Sequence, residues 1–263
     1  MKHFTLTTTP DSEGVVQLYL EDYHYLVRVR RLKTGESFNA LLPDGDTVKV
    51  RILSTTGSVL TGKIENKTER KTNSICTPPL TLFQGLPKGS KMDLIIRQAA
   101  EAGVSVIVPF HCEHSENKAG RNSGEKIKRW ERIIREAKQQ SGSVIETKVH
   151  SPCSFIDLLN YWESTKKEFQ KALGIFFHQE PLERMGFHEY LGNKPDFIAY
   201  AIGPEGGFSQ KEITLFLEAG FKPLMMGDTV LRTETAALYG TAAIKTIIQE
   251  NKKWTPSLKE SCS

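Results

Sequence analysis

The segment from Phe197 to Ser209 constrains the fold of this chain most. Phe197-Ile198-Ala199-Tyr200-Ala201-Ile202 is an apolar run of strand length, and Gly203, Pro204, Gly206 and Gly207 stop it abruptly. Ser209-Gln210-Lys211-Glu212 then has capping-box spacing, a serine oxygen for a free backbone N–H and a glutamate three residues on to return the bond. The unit is strand, glycine loop, capped helix. A second strand candidate, Phe221 to Met226, ends at Gly227 and leads to Thr233, which is placed to cap a helix starting near Glu234. Two loops that each close a buried strand and open a helix turn backbone N–H and C=O groups toward a ligand in an α/β sheet. The spacing therefore predicts a small-ligand pocket with backbone-rich recognition; the alternative is a tight connection that binds nothing. No Lys-Ser or Lys-Thr follows the glycines and no dinucleotide glycine triplet is present, which excludes a P-loop and the usual nucleotide fingerprint.

Upstream of residue 72 the chain reads as β. Val15 to Leu20, Ser37 to Leu42, Thr47 to Leu53 and Ser58 to Lys63 are short and rich in β-branched and apolar residues, with hairpin chemistry at Asp44-Gly45-Asp46 and Thr56-Gly57. Strands at this spacing suggest a small barrel. Within it, the run His24 to Lys33 carries Arg28, Arg30, Arg31 and Lys33 beside His24 and Tyr25, without an acid. Cations beside aromatic faces suit phosphate contact and base stacking; the alternative is a solvated basic face. Glu65 to Ser74 is polar throughout and Pro78-Pro79 follow, so a domain boundary is expected there: residues 1–72, a linker at 73–79, and a second domain at 80–250, with a frayed tail at 251–263.

The second domain alternates strands and helices. Leu80 to Leu86 is a strand, Met92, Ile95, Ile96, Ala99 and Ala100 recur at helical spacing before Gly103, and Val104 to Phe110 is again a strand. Arg121 to Gln140 predicts a helix with one side basic, Gly174 to His178 a short strand, and Ala236 to Gln249 a closing helix. This is an α/β domain, and pattern alone favours an ordinary doubly wound sheet, since knots are nearly absent from proteins. The formal charge of +4 is compatible with nucleic acid without requiring it. No apolar run reaches membrane length and the N-terminus lacks a signal-peptide core, so a cytoplasmic location is expected. The four cysteines show neither disulfide-framework nor zinc spacing. His111-Cys112-Glu113-His114 would place contiguous ligands at a strand end, a poor geometry for one ion, so no metal is expected.

Ile202-Gly203-Pro204-Glu205-Gly206-Gly207-Phe208-Ser209 followed by Gly227-Asp228-Thr229-Val230-Leu231-Arg232-Thr233-Glu234-Thr235-Ala236 resembles the RsmE family, methyltransferases of the SPOUT superfamily that modify uracil N3 in 16S ribosomal RNA. The resemblance covers nearly the whole chain. It implies a C-terminal SPOUT-type α/β trefoil-knot domain, a small N-terminal PUA-like β-barrel that binds RNA, S-adenosylmethionine as cofactor, a homodimer, and 16S rRNA in the small ribosomal subunit as partner. It overrides the doubly wound expectation, since the two motif loops of that superfamily form a knot that holds the cofactor. The cofactor is then expected against Phe177, His178, Ile202, Gly203, Pro204, Glu205, Gly206 and Gly207 on one side. Met226, Gly227, Val230, Leu231, Arg232, Thr233 and Thr235 are expected on the other.

Uracil N3 bears an imide proton, so the site must stabilise a uracil anion or remove that proton. Arg232 is the first candidate, a permanent cation suited to the anion; its alternative is a salt bridge with Glu205 or Glu234. Glu205 and Glu234 are the candidate bases, although Glu234 at a helix start also complements the helix dipole. The resemblance implies an RNA-facing set of His24, Arg28, Arg30, Arg31, Lys33, Lys91, Arg135 and Lys138. Ribose methyltransferases of the sister branch carry Asn-x-Gly-x-x-x-Arg where this chain has Lys91-Met92-Asp93-Leu94-Ile95-Ile96-Arg97, which argues for base methylation. Ser143 stands where the family pattern Glu-Gln-x-Gly-Arg has its arginine, so that role is lost or passes to Arg135 or Lys138. The rivals are ribose methylation, a non-catalytic RNA-binding assembly factor, and a nucleotide-binding α/β enzyme unrelated to RNA.

Overall fold

The computed structural model describes residues 4–6, 8–42, 46–68, 77–115, 123–143, 145–182 and 186–250. Residues 44–45 of the expected turn, 73–76 of the linker expected at 73–79, and the tail expected at 251–263 lie outside them. The chain divides into two compact units, residues 1–73 with 136–144, and residues 74–135 with 145–263.

The first unit holds a five-stranded sheet in the order β1-β3-β4-β5-β2. Its strands are β1 (Phe4–Thr5), β2 (Val15–Leu18), β3 (Ser37–Leu41), β4 (Thr47–Thr56) and β5 (Val59–Thr68). β1 pairs with β3 in parallel and the other pairings are antiparallel. Alternation along β4 sends Val48, Val50 and Ile52 inward, where they meet Phe38, Ala40, Leu60 and Phe4. β5 outruns the expectation. Glu65 lies within the strand, and its carboxylate sits 3.8 Å from Lys49 Nζ and 3.7 Å from Arg51 Nη1 across the ladder. Polar residues on the wet face of a paired strand read as linker because nothing in their own segment marks the partner. A helical turn, α1 (Leu20–Tyr23), leads into the basic run, which opens as a π-helix over His24–Val29 with Leu26 buried in the same core.

The second unit is a six-stranded parallel sheet in the order β11-β9-β10-β6-β7-β8. The strands are β6 (Leu80–Gly85), β7 (Val106–Phe110), β8 (Lys148–Val149), β9 (Ala172–Phe177), β10 (Phe197–Ile202) and β11 (Lys222–Leu224). Every residue of β6 and β10 is buried, the pattern of strands covered on both faces. The helices are α2 (Lys91–Glu101), α3 (Ser123–Ser141, of which residues 123–135 belong to this unit), α4 (Phe155–Thr165), α5 (Phe187–Gly192), α6 (Gln210–Glu218) and α7 (Thr233–Glu250). One face packs an aromatic cluster in which Phe216 and Phe176 stack at 5.3 Å and Trp162 meets Phe221 at 4.7 Å. On another, α2 and α7 pack together, and Ile244, Ile247 and Ile248 of α7 are buried as the closing-helix reading requires.

Strand order matters most for function. β6, β7 and β8 step outward in one direction; the chain then crosses to β9, fills the gap with β10, and ends at the edge with β11. The reversal beside β6 and β10 is a topological switch point, where loops at the carboxyl ends of the strands part to leave a crevice.

Candidate active site

The cavity lies at the carboxyl ends of β9, β10 and β11 and encloses about 320 Å³. Phe177 ends β9, and His178 and Gln179 follow it; Ile202 ends β10, and Gly203 to Phe208 follow it; Met226, Gly227, Thr229, Val230, Leu231 and Arg232 follow β11; Thr233 and Ala236 come from the first turn of α7. All but one of the residues expected at a ligand from sequence face this space. The exception is Thr235, exposed on α7 and absent from the lining. In the first turn of a helix adjacent residues point about 100° apart, so Thr233 and Ala236 turn in while Thr235 turns out. Gln179, Thr229, Phe208 and Ala236 were missed, and the helical spacing of Ala236 from Thr233 could have found the last of these.

The glycine loop is held from several sides. The capping box forms as its spacing predicts: Ser209 Oγ accepts from Glu212 N–H at 3.3 Å, and Glu212 Oε2 accepts from Ser209 N–H at 2.9 Å. The other Glu212 oxygen accepts from Glu113 N–H at 2.8 Å. His114 Nδ1 donates to the Gly206 carbonyl at 3.0 Å, and a Cβ at Gly206 would stand 2.8 Å from the His114 Cβ, so only glycine permits this approach. The His111–His114 segment thus braces the loop and α6. Burial is the larger of the effects that push the Cys112 thiol well above its usual range, with Glu212 adding to it.

Thr233 departs from its expected role. It lies inside α7, and its hydroxyl donates to the Gly203 carbonyl at 2.7 Å instead of capping the helix. The fully buried Gln84 at the end of β6 donates through Nε2 to Thr233 Oγ1 at 3.0 Å and to the Gly85 carbonyl at 2.9 Å. One hydrogen-bonded chain therefore joins β6, β10 and α7 beneath the cavity.

The charges also differ from the sequence reading. Arg232 lines the cavity, is exposed, and has no ion-pair partner among the described residues, which removes its salt-bridge alternative. Lys91 takes that place: its ammonium is 2.6 Å from Glu205 Oε1 and 4.0 Å from Glu234 Oε2. An ammonium so engaged is not a free phosphate contact. Partial burial pushes the Glu205 carboxyl upward, but the Lys91 bond and the Lys88 N–H outweigh it and hold the group below its ordinary value. Glu234 lies outside the lining, with its carboxylate toward α2. Among the described residues the wall thus offers one guanidinium without an ion pair, one ionised carboxylate and the His178 imidazole, whose Nδ1 accepts from Glu180 N–H at 3.1 Å. Apolar side chains and backbone groups supply the rest, which suits a ligand with a flat apolar ring and a charged end. Among the described residues no group of three His, Cys, Asp or Glu is arranged for a metal.

The other basic candidates are not among the residues that line this cavity. His24 and Arg28 border a separate cleft in the first unit with Tyr19, Tyr23 and the Gly57-Ser58 turn, while Arg30, Arg31 and Lys33 follow in the exposed segment after the π-helix. Arg135 is exposed and Lys138 half-buried on α3, and Ser143 follows that helix.

Residues 76–245 match the RNA methyltransferase domain family, and residues 20–65 match the RNA methyltransferase PUA domain family. The chain is 34% identical to ribosomal RNA small subunit methyltransferase E 2 of Borreliella burgdorferi, over 87% of this chain and 89% of that one. A Legionella pneumophila protein described as a methyltransferase, solved in complex with the bound cofactor SAM, is 25% identical and superposes with a TM-score of 0.79 over 93% of this chain and 97% of its own. The fold is shared as well with ribosomal RNA small subunit methyltransferase E of Neisseria gonorrhoeae, 23% identical with a TM-score of 0.76 over 94% of this chain and 98% of that one. With a domain match over more than half its length and a close relative spanned nearly end to end, this chain belongs to the ribosomal RNA small subunit methyltransferase E family.

Proposed function

We propose that the protein is an S-adenosylmethionine-dependent RNA methyltransferase that methylates uracil N3 in 16S rRNA of the small ribosomal subunit. The observation that carries this reading is the cavity at the switch point, with backbone of the glycine loop on one side, Met226 to Thr233 on the other, and Arg232 free within it. The lining fits the cofactor. Ile202, Leu231, Val230 and Phe208 offer apolar surface for an adenine ring, backbone groups around Gly203 and Gly227 can read its edge, and Glu205 offers a negative charge for the ammonium of an amino-acid end. When bound, the cofactor supplies an electrophilic methyl group on a sulfonium.

The chain's own residues then have separable tasks. Arg232 stabilises the uracil anion at a carbonyl oxygen with a charge that does not titrate. Glu205, kept ionised below its ordinary value, fixes the loop and is a poor acceptor for the imide proton at neutral pH. Glu234 faces away, so the proton leaves to solvent on the exposed side where Arg232 lies. In the first unit, the cleft beside His24 and Arg28 supports RNA contact, with Tyr19 and Tyr23 for stacking.

Three further parts of the reading rest on the fold. The chain leaves the sheet edge at β11 and returns to pack α7 on α2, which supports a trefoil knot through the two motif loops. Leu94 on α2 with Leu238 and Tyr239 on α7 expose apolar surface on paired helices, which supports a homodimer. Among the described residues no helix is long and apolar enough to cross a membrane, compatible with a cytoplasmic site of action. Incubating the protein with small subunits lacking base methylation and radiolabelled S-adenosylmethionine tests the reading: label enters the 16S rRNA, and absence of label with intact subunits refutes it.

A further inference from the structure

Three charged side chains from distant parts of the chain meet beside the cavity. Lys91 opens α2, Glu205 sits in the glycine loop, and Glu234 is in the first turn of α7. The Lys88 N–H reaches both Glu205 oxygens at 3.2 Å while Lys91 Nζ holds Oε1 at 2.6 Å. Glu234 Oε2 is buried and accepts no hydrogen bond among the described residues; Lys91, at 4.0 Å, brings it a counter-charge. Neither Lys91 nor Glu234 faces the cavity, whereas Glu205 does, so any influence of Lys91 on a ligand passes through the loop.

We infer that Lys91 is a positioning residue: by holding Glu205 against the start of α2 and Glu234 beside it, the ammonium fixes the Pro204–Gly207 wall and so sets how tightly the cavity holds its cofactor. The inference rests on the cofactor reading above. The other charged or titratable groups on the elements that meet here are Lys88 and Asp93 around the start of α2, His114 beside Gly206, and Arg232 before α7; Asp93 is itself paired with Arg129. Removing the ammonium leaves two carboxylates, each within 4.0 Å of the position it held, without their shared counter-charge. Neighbouring like charges without a cation between them repel, and that repulsion weakens as protons are taken up on lowering the pH.

Cofactor affinity of the full-length Lys91→Met variant, measured by calorimetry with S-adenosylmethionine alone, is expected about tenfold weaker than wild type at about pH 8 and to recover by about pH 6, while wild type is flat over that range. The thermal midpoint of the ligand-free variant rises over the same fall in pH, and wild type shows no such rise. Lys91→Arg keeps near-wild-type affinity, and adding Glu234→Gln to Lys91→Met abolishes the pH dependence. Wild-type affinity in Lys91→Met at both pH values overturns the inference, as does a loss equal at both values and shared by Lys91→Arg. Should wild type itself bind no S-adenosylmethionine, the cofactor reading fails, and the ligand-free midpoints alone still decide whether the clamp exists.

Discussion

The hydroxyl of Thr233 donates to the carbonyl of Gly203 across 2.7 Å, tying the first turn of α7 to the end of β10. The same oxygen accepts from buried Gln84, so one side chain satisfies two elements at once. Thr233→Val keeps the shape and removes both bonds. The loss leaves buried polar groups without a partner and is expected to cost about 1–3 kcal/mol of stability. A urea midpoint unchanged at equal slope contradicts the linkage.

Gly240 of α7 admits the Phe177 ring, whose nearest carbon would lie 2.7 Å from an added Cβ. Gly240→Ala must push that ring, which walls the cavity, so stability falls by about 1–3 kcal/mol and cofactor affinity falls with it. Gly192→Ala, with no atom within 4 Å of the new Cβ, serves as the control that holds both values. Equal behaviour of the two variants in denaturation and calorimetry rules out the contact.

Arg232 is exposed and free of ion pairs among the described residues, so its removal has little structural cost. Arg232→Ala is expected to retain the wild-type thermal midpoint and to lose about 100-fold or more in kcat, the scale of losing a charge that acts in the transition state. Single-turnover methyl transfer separates this from weaker RNA binding. A large fall in thermal midpoint shows instead that Arg232 is structural.

Glu205 has a native-state carboxyl held below the ordinary 4.5, so the stability it contributes is present above 4.5 and disappears as pH falls through the native value. Cofactor affinity is therefore expected to stay level from neutral pH down to that value and to drop only below it. Glu205→Gln removes this acid limb. An affinity that declines in wild type near neutral pH shows that a different group governs the loop.

Local signals carried the parts of the fold that depend on near neighbours. The β10 run from Phe197 to Ile202 ends at the glycine that stops it, and the Ser209–Glu212 box forms as spaced, because both need only residues within a turn. α4 went unread although Ser154 Oγ caps it by accepting from Asp157 N–H; its run of Phe155, Leu158, Leu159 and Trp162 gives helical spacing that the neighbouring apolar residues obscure. The hidden features all cross long stretches of chain. Lys91 meets Glu205 across 114 residues, Gln84 meets Thr233 across 149, and Glu65 is held in β5 by cations on β4. No period or cap in a single segment encodes such pairs, nor does it encode β10 entering between β6 and β9. The glycine loop announced the cavity; which charges inside it were free required the fold.

The most direct test of the account is nucleoside analysis, by chromatography and mass spectrometry, of 16S rRNA methylated by the protein in small subunits that lack base methylation. The account predicts 3-methyluridine as the labelled nucleoside, formed far more slowly with Arg232→Ala. Label recovered as a 2′-O-methylated nucleoside contradicts it and assigns the chemistry of this cavity to ribose.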